Sequence, residues 1–307
     1  MIIALIIIIV ILHIFSTTVL VRDLRAHWPS LLHEPGRIYV QAPLSFLLNF
    51  LSAFGISDYV ICTALYNKTG WADPRKLPGT LNNQSALPVL IFAIAYLSGV
   101  RVDIGTLLPM LAADVMGAYL SPKLFMRLPV RRVRQILAYG LLITGCAMLA
   151  GKLGFTEPGE HAAMSLRGFK LAAGMICFFF IGALKAMGVA SYPLSMTATF
   201  FLGLNPLASY PLMMGGGALS APLVLIRYVK MGGCYMRKLT LLGATFGVVG
   251  ACIGAAVLIL KSLDISFLQW LVIIVVFYAS IDILLTLRRE ARSGQNLPNT
   301  PEEIGKQ

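Results

Sequence analysis

The chain has 307 residues, 58% of them hydrophobic and only 12% charged, with a mean hydropathy of +0.81 and a net charge of +12. Soluble domains carry about 25% charged residues, so this composition describes an integral membrane protein and leaves no stretch for a soluble catalytic domain. The positive charge does not indicate nucleic acid, because the basic residues cluster in short loops between apolar runs, as the positive-inside rule expects.

The first element, "MIIALIIIIVILHIFSTTVLVRDLR", has no basic residue before its apolar run and two soon after it. A cleavable signal needs a basic leading region and a small-residue cleavage site. This element instead reads as a retained span with its N-terminus outside, and with the polar stretch 22–37 it forms an added helix and loop, residues 1–37. Apolar runs of about 20 residues, enough to cross a hydrocarbon core, then recur along the chain. The other polar stretches are 66–80, 153–167 and 288–307. The expected fold is an all-α, multi-pass protein of a bacterial inner (plasma) membrane.

Two parts of the chain resemble each other. "SAFGISDYVICTALYNKTG" (52–70) aligns with "KAMGVASYPLSMTATFFLG" (185–203) at an offset of 133 residues. "DPRKLPGTLNNQSALP" (73–88) follows against "NPLASYPLMMGGGALSAP" (205–222), and "MGAYLSPKL" (116–124) against "VGACIGAAV" (249–257). The organisation expected is repeat one over 38–152, a connecting loop over 153–167, repeat two over 168–287, and a polar cytoplasmic tail over 288–307.

Charge indicates how the two repeats are oriented. Repeat one is basic between its last two spans, at Lys123, Arg127, Arg131, Arg132 and Arg134, where repeat two has only Lys261. Repeat two is basic one loop earlier, at Arg227, Lys230, Arg237 and Lys238, where repeat one has only Arg101. Copies inserted in opposite senses would acquire this reversal. Inversion places 18 Lys/Arg inside, counted through Arg292, and leaves Arg101, Lys152, Arg167, Lys170 and Lys261 outside. It requires 38–66 and 168–204 each to enter and leave on one side, as broken or re-entrant hairpins. Nine ordinary helices in parallel halves would leave the 227–238 loop and the tail outside, against the rule.

Backbone that is not helical at membrane depth needs protein or water around it, and paired broken helices mark a midplane substrate site. Lys185 lies 15 residues, about 22 Å of helix, beyond Lys170. A lysine at that depth costs roughly 2.5–3.5 kcal/mol on insertion scales unless it has a partner or ligand. Its functional role would be to attract an anion, helped by half-helix N–H groups; otherwise it snorkels. Ser57, Asp58 and Ser191 flank the breaks, and Asp58 would pair with Lys185, carry a proton or cap a half-helix. Asn82, Asn83 and Gln84 offer amide donors, or else hold helices together. Gly215, Gly216 and Gly217 would expose backbone N–H groups, or else let helices pack closely.

Gly243, Gly247, Gly250 and Gly254 recur at helical spacing and read as a packing face. Asp114 and Asp282 are lone intramembrane acids; either would serve to relay protons, but neither has an evident partner in sequence, and neither is assigned to the site. Cys62, Cys146, Cys177, Cys234 and Cys252 are isolated, and His13, His27, His33 and His161 are scattered, so neither a disulfide framework nor a metal site is expected.

The segments "GALKAMGVASYPLSMTATFFLGLNPLASYPLMMGGGAL" and "FGISDYVICTALYNKTGWADPRKLPGTL" resemble the TauE/SafE sulfite exporter (TSUP) family of membrane permeases. The likeness covers roughly 48–287. It departs from the family pattern where Ser57-Asp58 and Ala190-Ser191 replace glycine runs and where Lys185 replaces an apolar residue. The resemblance implies a secondary transporter of a small anion, such as sulfite, an organosulfonate or a related carboxylate, coupled to a proton or sodium gradient. No cofactor-binding pattern is present, nor any nucleophile–base set or carboxylate pair of the kind an enzyme needs. The expected partners are the anion, its coupling ion and the bilayer, not nucleic acid. Homo-oligomerisation, a passive anion channel and a non-transporting membrane scaffold stay open on the residues alone.

Overall fold

The computed structural model describes residues 1–73, 76–124, 163–232 and 234–259, with scattered positions in 135–153 and 270–289. The basic run 125–134, most of the 153–167 connection, Lys152, Lys261, Asp282 and the tail beyond 289 lie outside the described residues.

Regular structure among the described residues is helical, apart from one isolated bridge between Ala163 and Leu204. The first helices are α1 (Ile2–Ala26), the short α2 (Trp28–His33), α3 (Ile38–Ser52) and α4 (Asp58–Thr69). The next are α5 (Leu77–Gly99), α6 (Ile104–Leu124) and α7 (Gly168–Ala186). Last come α8 (Tyr192–Phe201), α9 (Ser209–Lys230) and α10 (Arg237–Ile259). Six of them, α1, α5, α6, α7, α9 and α10, are long and apolar enough to cross a membrane. That establishes the expected all-helical, multi-pass membrane class.

Polar contacts show which helix ends lie together. At one end of the bundle, Asp23 near the close of α1 accepts from Arg237 Nε (2.8 Å), and Glu34 accepts from the Lys238 N–H (2.8 Å). There too Thr80 Oγ1 accepts from the Met236 N–H (2.9 Å), and Gly36 faces Trp71 and Leu239. The starts of α3, α5 and α10 and the close of α4 therefore meet at this end. At the other end the Leu166 N–H donates to Thr106 Oγ1 (2.7 Å), and the Asn205 N–H donates to the Ala163 carbonyl (2.9 Å). The starts of α6 and α7 and the close of α8 meet there. The α3–α4 pair thus begins and ends at one end of the bundle, and the α7–α8 pair at the opposite end.

The two central helices, α5 and α9, pack on each other and are the most enclosed of the long helices. Around them α3 lies along α10, and α6 lies along α7. Glycines make both contacts close. A Cβ on Gly117 of α6 would fall 1.8 Å from the Phe179 carbonyl oxygen, and one on Gly250 of α10 would fall 2.1 Å from that of Phe46. Gly243, Gly247 and Gly254 also face neighbours closely, namely Gln84, Asn49 and Phe50. The expected packing face of α10 is present.

On α1, Ile3, Ile7, Ile11, Ile14 and Phe15 are exposed, as lipid-facing residues are, while Ile9, His13 and Ser16 turn inward. Both ring nitrogens of His13 meet backbone carbonyls, Ile9 at 2.9 Å and Ala86 at 3.1 Å. His13 therefore lies between the α1 backbone and that of α5.

Candidate functional site

Two helix breaks build the site, and the sequence sets both. α3 stops before Gly55 (φ +89°) and α7 before Gly188 (φ +84°), in the left-handed region that glycine enters without a Cβ penalty. Each stop has paired closing bonds. The Gly55 N–H donates to Ser52 O and the Ile56 N–H to Leu51 O; the Gly188 N–H donates to Lys185 O and the Val189 N–H to Leu184 O. This is the Schellman pattern, which satisfies the last carbonyls of a helix. Tyr96 Oη caps the Ala53 carbonyl, and Tyr228 Oη caps that of Ala186 at 2.9 Å. Buried backbone exposed by the breaks is thereby satisfied from neighbouring helices.

A small cavity opens where the breaks meet. Ser57 and Tyr59 of the first break line it, with Ser191 and Tyr192 of the second. Asn82, Ser85 and Val89 contribute one stripe of α5, Lys185 comes from the close of α7, and Gly217 and Ser220 come from α9. The N-terminal ends of α4 and α8 thus both reach the cavity, where helix dipoles and free N–H groups favour negative charge. Asp58 already occupies the start of α4. The start of α8 has no acidic residue and no side-chain cap.

Lys185 is 8% exposed, so it is buried and does not snorkel. Its ammonium donates to Asp114 Oδ2 at 2.6 Å. The expected pairing of Lys185 with Asp58 is therefore corrected: the Asp58 carboxylate is instead held by the Ser85 hydroxyl. Asp114, expected to be a lone acid, is the lysine's partner, and its carboxyl fits against α9 because position 216 is glycine. A Cβ there would lie 2.9 Å from Asp114 Oδ2.

The other expected site residues divide by helix face. Asn82 lines the cavity and donates to the Lys185 and Ala186 carbonyls at 3.3 and 3.4 Å. Gln84 is turned away. It accepts from Tyr66 Oη (2.9 Å) in a buried network with Gln41 and Cys62. Asn83 is fully buried, and its amide has no partner among the described residues. The expectation that Gly215, Gly216 and Gly217 present open donors is also corrected, because they lie inside the continuous helix α9, where backbone N–H groups are used by the helix. Gly215 packs on Leu111 and Leu97, and Gly217 on Val89. Of the three, Gly217 reaches the cavity wall.

Sequence reasoning noticed Asp114 but left it out of the site, and it missed Ser85, Tyr59, Tyr192 and Ser220. One signal for Asp114 was available: a buried lysine needs an acid, and few acids lie in the apolar runs. Among the described residues no group of three or more His, Cys, Asp or Glu side chains could hold a metal ion. Comparison with family models, curated proteins and solved structures finds no match.

Proposed function

We propose that the chain is a TauE/SafE-like permease: a secondary transporter that moves a small sulfite-, sulfonate- or carboxylate-type anion by alternating access between two inverted repeats. The observation that carries the reading is Lys185, a buried cation lining a cavity at the meeting of two helix breaks, beside the uncapped start of α8. A compact anion is the ligand such a place favours.

Several facts support the repeats. The stops at Gly55 and Gly188 are 133 residues apart, as are those at Gly70 and Gly203 and the starts of α6 and α10. The contacts correspond at the same offset: Gly117 against Phe179 answers Gly250 against Phe46. The two hairpins open at opposite ends of the bundle, which supports inversion. The end carrying Arg22, Arg25, Arg37, Lys230, Arg237 and Lys238 is the cytoplasmic one, and the chain's N-terminus is outside. On this reading the protein sits in the cell membrane and catalyses no covalent chemistry.

The test is uptake of sulfite, sulfoacetate, taurine and acetate into proteoliposomes, with and without a pH gradient. Saturable uptake of at least one anion, raised by the gradient, is expected. Unsaturable flux indifferent to gradients would make the protein a channel. Absence of all flux, with a partner co-purifying in fixed ratio, would make it a scaffold.

A further inference from the structure

Lys185 and Asp114 form a buried ion pair, their side chains 10% and 3% exposed, and the two have different access to the cavity. The lysine lines the wall, while the aspartate lies behind it, off the cavity surface. An anion entering from the mouth meets an ammonium whose charge is already balanced. Adding one negative charge to that neutral pair would leave a buried site with an uncompensated charge, which is costly in a low-dielectric interior. A proton on Asp114 removes the excess. The ammonium then turns fully to the anion, and the loaded site is neutral again.

Building on the transporter reading above, we propose that Asp114 is the proton-coupling group, binding one proton for each monovalent anion that Lys185 binds. The proton is delivered as hydronium from the solvent on the side where the anion enters, and it is returned to solvent water as hydronium when the anion departs and the ion pair re-forms. No bond other than O–H is made or broken. Transport is electroneutral and independent of sodium.

The surroundings fit this assignment. From α7 the group facing Asp114 is Lys185, the charged group acting on it, and from α9 it is the Ser220 hydroxyl with the bare Cα of Gly216. Ser220, whose hydroxyl donates to the Gly216 carbonyl at 2.7 Å, also lines the cavity. On its own helix, α6, Asp114 has glycine at 117, one turn along, rather than a second titrating group. The other buried acid near the cavity, Asp58, is held by Ser85 and pairs with no lysine among the described residues. The lysine–acid arrangement occurs once, since the matching positions, 52 and 247, are Ser and Gly.

The experiment is binding of isethionate, whose sulfonate does not titrate near neutral pH, to detergent-purified full-length protein between pH 5 and 9. In the wild type the dissociation constant should rise about tenfold per pH unit above the carboxyl's titration, since one proton is linked to binding. Asp114→Asn should lose the wild-type slope up to the pH at which the unpaired Lys185 itself gives up its proton, and below that pH it should bind more tightly than wild type, because Lys185 has lost its competitor. Lys185→Met/Asp114→Asn, which leaves no buried charge behind, should fold and not bind. A wild-type slope that persists in Asp114→Asn and disappears in Asp58→Asn would move the coupling to Asp58 and overturn the assignment. Lysine-dependent binding with no slope in the wild type would overturn the coupling and leave the transporter reading standing. Failure of the wild type to bind isethionate, sulfite, sulfoacetate or acetate would overturn the anion site itself.

Discussion

Replacing Gly117 by alanine tests the closest helix contact around the site. The new Cβ would lie 1.8 Å from the Phe179 carbonyl oxygen and 2.7 Å from its carbon, against the 3.4 Å at which ordinary contact begins. The obstacle is backbone, so no rotamer change relieves it, and α6 and α7 must separate locally by about the missing 1.6 Å. Two further bonds span that interface, Ser121 Oγ to the Ala183 carbonyl (2.8 Å) and Lys185 to Asp114 (2.6 Å), and both stretch with it. Overpacking costs about 1–3 kcal/mol, and strained buried hydrogen bonds add to it. Alanine returns up to about 1 kcal/mol through helix propensity, which is too little to compensate. The apparent Tm in detergent should fall by roughly 3–10 °C. Gly99→Ala, where a Cβ meets nothing within 4 Å, is the propensity control and should be neutral or slightly stabilising. A Gly117→Ala protein as heat-resistant as Gly99→Ala would refute the backbone contact and the α6–α7 packing with it.

Three further outcomes are expected. Gly188→Ala and Gly55→Ala each force a left-handed alanine, costing about 1–2 kcal/mol; the new Cβ at 188 also lies 3.1 Å from the Pro78 Cα, a backbone atom, whereas that at 55 presses chiefly on the flexible end of Met196. Thermal melts should rank Gly188→Ala as the more damaging, and the reverse order would contradict the assigned breaks. His13→Leu removes the one hydrogen bond that a neutral imidazole can donate, to the Ile9 or the Ala86 carbonyl, worth about 0.5–1.5 kcal/mol, so apparent Tm should drop while anion affinity holds. Asn82→Ala should weaken anion binding severalfold, because its amide ties α5 to the carbonyls that close α7 at Lys185 and Ala186. Gln84→Ala should instead lower stability and leave affinity within about twofold, as expected for a residue outside the site. Equal effects on affinity from the two amides would show that the cavity is misdrawn.

Much of the architecture was legible in the sequence because it rests on local chemistry. Helices stop where glycine permits positive φ, and Gly55 and Gly188 stand out in apolar surroundings. The glycine face of α10 follows from spacing alone. Side-chain direction was harder to read. Asn82, Asn83 and Gln84 are consecutive, yet a helix turns about 100° per residue, so one faces the cavity, one is buried without a partner and one joins the Tyr66 network. The three glycines of α9 illustrate the same difficulty. Gly216 is needed for the approach of Asp114, a contact invisible before α6 and α9 are brought together. The lysine's partner was hidden for a similar reason. Asp58 is the nearer acid by the repeat alignment, but Asp114, 71 residues away in sequence, reaches Lys185 because α6 lies along α7.

The most direct test of the central claim is saturable anion uptake into proteoliposomes containing wild type or Lys185→Met, each verified as folded by size exclusion. The account predicts saturable uptake by wild type and its loss in the variant. Equal uptake by the two proteins would contradict it, because the buried lysine would then have no part in holding the anion.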